Sequence, residues 1–90
     1  MSMVRKEVII HNREGLKSRP AALLVQTACR FASRVVIEHG DKVINGKSMM
    51  GVLSLGVSSD QRVAIVAEGE DEQAALAALI GLIQGEFREG

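Results

Sequence analysis

Ninety residues, 47% hydrophobic and 24% charged, suit one small globular domain spanning 1–90 and long enough to bury a single core. Eleven cations balance eleven anions, and with two phenylalanines and no Trp or Tyr there is neither a basic field nor a stacking platform to direct the chain to nucleic acid. One cysteine excludes an internal disulfide and builds no metal centre alone, and no apolar run approaches membrane-spanning length, so the expectation is a cytoplasmic protein with no metal, cofactor or membrane partner.

Val4 to His11 alternates Val4, Val8 and Ile10 against Arg5, Glu7 and His11, which predicts a first strand. The "NREG" segment that follows is loop material. From Ser18 to Phe31 apolar residues recur at Ala21, Leu24, Val25, Ala28 and Phe31, a helical spacing, with Pro20 in the first turn where its missing N–H is harmless. Cys29 lies inside that pattern and reads as a buried structural thiol. Arg34 to Glu38 is rich in β-branched residues, and "HGDK" turns it back into a short partner strand, Lys42 to Asn45.

Ser48 is a natural N-cap and Gly56 a natural C-terminal stop, which predicts one or two helical turns between them, weakened by Gly51. Arg62 to Glu68 points Val63, Ile65 and Ala67 to one side as a fourth strand. A last helix opens with acids in its first turn and carries Leu76, Leu79, Ile80, Ile83 and Phe87 along one stripe, after which "FREG" reads as loosely held. The order βαββαβα predicts an α+β fold: one four-stranded sheet with helices on one face, and a second face open to water that bears Arg5, Glu7, Arg34 and Arg62.

Two places hold candidate chemistry. Lys17, Ser18 and Arg19 surround a helix start, where unpaired N–H groups already favour an anion. Ser48 precedes "MMGVL", and Met49, Met50 and Leu53 either fill core space or form an adaptable docking surface. A phosphate on Ser48 would place negative charge at a dipole-positive terminus. His11 and His39 have no carboxylate or cysteine at ligand spacing and read as surface residues, so no catalytic constellation can be assembled.

The segments "GLKSRPAALLVQTACRF", "NGKSMMGVLSLGV" and "VAEGEDEQAALAAL" together resemble the HPr family, the histidine-containing phosphocarrier proteins of the bacterial sugar phosphotransferase system, essentially end to end. The resemblance implies the HPr-like open-faced β-sandwich, an antiparallel sheet under three helices. It also implies a phosphoryl-accepting histidine in the pattern Gly-hydrophobic-His-x-Arg-Pro, served by Enzyme I. Lys17 holds that histidine's place, while Arg19 and Pro20 match. Histidine, with an ordinary pKa near ~6.5, is largely neutral at pH 7, whereas an amine of ordinary pKa ~10.4 is neutral in about 0.04% of molecules.

Ser48 aligns with the regulatory serine modified by HPr kinase/phosphorylase, and Met49, Met50 and Leu53 with the family's docking patch. Crh-type members lack the acceptor histidine, keep the serine and act as corepressors of the transcription regulator CcpA. The resemblance therefore implies a non-enzymatic, Crh-like regulator of carbon catabolite repression, with Lys17 and Arg19 as binding residues. The alternatives are a phosphocarrier that works with Enzyme I and a docking module that needs no modification.

Overall fold

The structure is a computed structural model and describes residues 2–88. Its elements run β1 (Val4–Ile10), α1 (Ser18–Cys29), β2 (Arg34–His39), β3 (Lys42–Asn45), α2 (Met49–Ser54), β4 (Gln61–Glu68) and α3 (Glu72–Gln84). The strands form one antiparallel sheet in the order β1-β4-β2-β3. The last strand in the chain therefore lies inside the sheet, between the first and the second.

Period-two alternation sets what each strand buries. Val63, Ile65 and Ala67 of β4, Val35 and Ile37 of β2 and Ile10 of β1 point towards the helices and are buried. Leu24, Leu79 and Ile83 meet them from α1 and α3. Truncating Ile10, Leu24, Ile37, Ile65, Leu79 or Ile83 to alanine would cost about 2–5 kcal/mol, because the cavity is only partly refilled.

The outer face is less open than its charges suggest. Ala64 and Val66 point outward from β4 yet are 4% and 8% exposed. Strand order explains this: Arg5 on β1 reaches across β4 to Glu38 on β2, at 3.2 Å, and the small Ala64 leaves room beneath. Arg5 also meets Glu7 at 3.4 Å. Central-strand burial on both faces thus arises from side chains of the flanking strands.

Two expectations for α1 need correction. The helix ends at Cys29 rather than Phe31, with Arg30 as its C-cap. Cys29 is exposed, because Ala28 occupies the core-facing position and the next residue is rotated about 100° away from it. The chain end is also better held than expected. Phe87 is buried at 4% exposure, but it does not extend the α3 stripe. It lies beyond the helix, where Glu86 and Phe87 adopt φ of 57° and 60° and the Phe87 N–H returns to the Leu82 carbonyl at 2.9 Å. The remainder of "FREG" past Arg88 lies outside the described residues.

The acids around the start of α3 do more than face its dipole. Asp71, at the N-cap position, makes no cap bond. Its carboxylate instead accepts the Ala32 and Ser33 N–H groups, both at 2.9 Å, and the Ser33 hydroxyl. The Ser33 hydroxyl bond, followed by the Ala32 N–H, holds the Asp71 carboxyl below its ordinary value of 3.8. Glu72 is buried and accepts from the Gly69 N–H at 3.1 Å and the Ser2 hydroxyl at 2.9 Å. These bonds tie the α1–β2 turn and the chain's start to the base of α3.

Candidate functional site

The loop ahead of α1 is fixed by its own backbone. Gly15 has φ 67°, and a Cβ there would lie 2.3 Å from the Val57 carbonyl oxygen, so only glycine fits. The next residue, Leu16, is buried and donates its N–H to that same carbonyl at 3.0 Å. Asn12 is 4% exposed, and its amide donates to the Gly15 carbonyl at 2.8 Å. Its Oδ1 is buried with no donor among the described residues.

Lys17 follows as the α1 N-cap, with extended backbone and no side-chain cap bond, since an ammonium has no acceptor to offer. Ser18 then takes φ 51°, an unfavourable value for a non-glycine residue, which turns the chain sharply into the helix. Lys17, Ser18 and Arg19 are all exposed. Arg19 lines a cleft of about 170 Å³ with Glu14, Pro20, Leu23, Glu86, Phe87 and Arg88. The segment after α3 therefore borders the start of α1, a proximity that no local pattern in the sequence announces.

At the second candidate, the helix starts and stops as expected. Ser48 has extended backbone and caps α2, its Oγ accepting the Gly51 N–H at 3.1 Å. Gly56, with φ 63°, stops the helix after Leu55. The three apolar candidates divide. Met49 is half-buried and packs on the core, whereas Met50 and Leu53 face solvent at 83% and 44% exposure. The true core residues of this segment are Val52 and Leu55, so Met50 and Leu53, one turn apart, form an apolar patch beside Ser48.

The two candidates sit at opposite ends of α1. Leu16 binds Val57, just past the end of α2, which places Lys17 near that end. At the other end of α1, Lys47 Nζ donates to the Phe31 carbonyl at 2.7 Å and the Cys29 thiol approaches the Lys47 carbonyl at 3.9 Å, which places Ser48 there. Twelve helical residues span about 18 Å, so the structure does not bring Lys17 and Arg19 to Ser48.

The histidines join neither group. His11 is exposed and lies 3.4 Å from Asp60. His39 ends β2, half-buried rather than on the surface, with Nδ1 enclosed and unpartnered among the described residues. No cluster of three or more metal-ligating side chains occurs among the described residues, and no described helix is long and apolar enough to cross a membrane.

The family model described as the PTS HPr component phosphorylation site matches residues 4–85. The HPr-like protein Crh of Bacillus subtilis is 48% identical over 93% of this chain and 99% of its own. The phosphocarrier protein HPr of Treponema pallidum is 42% identical over 97% of this chain and 99% of its own. Among solved structures, HPr-C-His from Thermoanaerobacter tengcongensis superposes with a TM-score of 0.91 at 47% identity, covering 100% of this chain and 99% of that one. With the same element order and near-complete coverage in both sequence and structure, the chain belongs to the HPr family.

Proposed function

We propose that this chain is a non-enzymatic, Crh-like regulator that acts in the cytoplasm, is phosphorylated on Ser48 by an HPr kinase/phosphorylase and is then read by a CcpA-type transcription regulator. The observation that carries this reading is the pairing of a half-buried cap serine with exposed Met50 and Leu53, while Lys17 occupies the phosphocarrier motif. In the transfer, Ser48 Oγ bonds to the γ-phosphorus of ATP, the hydroxyl proton leaves and ADP departs. The modified side chain keeps oxygen acceptors for the Gly51 N–H. It also gains nearly two negative charges, which an arginine on the regulator can pair with directly. Met50 and Leu53 supply the apolar part of the same surface.

Lys17 supports signalling over relay. A protonated ammonium has no lone pair with which to attack phosphorus, so the position no longer serves as an acceptor. It becomes a fixed cation beside Arg19, suited to acidic groups on a partner. HPr kinase with ATP is expected to add one phosphate, and Ser48→Ala to abolish the addition. Undiminished incorporation in that variant would overturn the assignment.

The phosphocarrier reading, with Enzyme I as partner, is favoured by the family description and by the Treponema pallidum relative. It requires the chain to accept a phosphoryl group from Enzyme I with Lys17 in place.

A further inference from the structure

Beside the modification site lies a cation whose present partner is neutral. Lys47 is half-buried, and its Nζ donates to the Phe31 carbonyl, one residue beyond the C-cap of α1. No carboxylate forms an ion pair with it among the described residues. The negative end of the α1 dipole suits an ammonium there, but it is a weaker attraction than a full anion would exert.

The backbone around Lys47 is held independently of its side chain. Asn45 Oδ1 accepts the Lys47 N–H at 2.9 Å, and the Asn45 carbonyl accepts the Ser48 N–H at 3.1 Å. A new charge at Ser48 would therefore act on the mobile part of Lys47, its four-carbon stem and three N–H donors. Arg30, the other cation at this end of α1, lies over the Phe31 ring at 5.8 Å.

Resting on the reading that Ser48 carries the phosphate, we propose that the Lys47 ammonium is that phosphate's internal counter-ion, drawn to it from the Phe31 carbonyl. Hydrogen bonds to an ionised acceptor are about twice as strong as those to a neutral one. The two groups stand on adjacent residues, and the lysine's four-carbon stem leaves its ammonium free to turn to a new acceptor. Phosphorylation then changes more than the charge at α2: it draws the lysine off the end of α1, weakening one tie between the two helices.

The test installs phosphoserine at position 48 during translation, so it does not depend on any kinase. Absence of phosphate after treatment with kinase and ATP would count against the functional reading alone. Phosphorus NMR follows the second ionisation of the phosphate, ordinarily at pKa ~6. In the unaltered chain it is expected roughly 0.3–0.7 unit lower than in Lys47→Gln. Lys47→Arg, which keeps the charge, should hold the lower value, and high salt should narrow the gap. The carbon signal of the Phe31 carbonyl should move on phosphorylation in the unaltered chain and stay in place in Lys47→Gln. Equal ionisation in the unaltered and Lys47→Gln chains, or a Phe31 signal indifferent to phosphorylation, overturns the proposal.

Discussion

At the level of single residues, Lys17 and Ser48 differ in what their atoms can do at neutral pH. A serine hydroxyl can take a phosphoryl group from a kinase, whereas an ammonium has no lone pair with which to attack phosphorus. Lys17→His is therefore expected to gain an acid-labile phosphoryl adduct from Enzyme I and phosphoenolpyruvate, measured by intact mass before and after acid. Ser48 also has a structural task as the α2 cap. Ser48→Ala should lose about 1 kcal/mol of stability in a denaturant titration, while Ser48→Asn, which can still cap, should lose far less and yet accept no phosphate. The capping role is thereby separated from the proposed phosphorylation.

Asp71 gives a pH prediction at the same scale. Its folded-state pKa is depressed, so its contribution to stability is present above the unfolded value of 3.8 and disappears as pH falls through the lower folded value. Asp71→Asn should unfold at lower denaturant than the parent at pH 7, with the difference closing in strong acid. Its partners, Ala32 and Ser33, lie 38–39 positions away, which is why the sequence revealed only acids favourable to a dipole.

At the level of elements, local chemistry was legible wherever one residue decides one geometry. Ser48 and Gly56 bracket α2, Pro20 lies in the first turn of α1, and β3 runs over the expected Lys42–Asn45. What failed was assigning faces near helix ends, because a 100° step per residue moves a side chain off the core stripe. Cys29 shows this: it belongs to an apolar run, and it is exposed. Met50→Ala should leave the denaturation midpoint within about 0.5 kcal/mol of the parent, yet weaken binding of the phosphorylated chain to a CcpA-type regulator in a titration. Val52→Ala, two positions after Met50 on the other side of the same short helix and fully buried, should instead cost about 2 kcal/mol or more of stability.

At the level of the whole molecule, the antiparallel arrangement of α1 and α2 sets where the two candidate sites lie. The Gly15 turn seats against Val57, and the Lys47 contact closes the far end, so the Lys17 and Ser48 sites sit at opposite ends of α1. Gly15→Ala should cost roughly 2–3 kcal/mol through positive φ and contact with the Val57 carbonyl, measured by chemical denaturation. Neither this seat nor the cleft shared by Arg19 and the post-α3 segment was visible in the sequence, since each joins residues far apart in the chain. The sheet's order had the same origin: alternation reveals strands but not which neighbour each one takes.

The proposed division of labour between Lys17 and Ser48 is tested most directly by incubating the unaltered chain with Enzyme I and phosphoenolpyruvate and recording its intact mass. The expected spectrum is that of the unmodified protein. An acid-labile phosphoryl adduct would contradict it and restore the phosphocarrier reading.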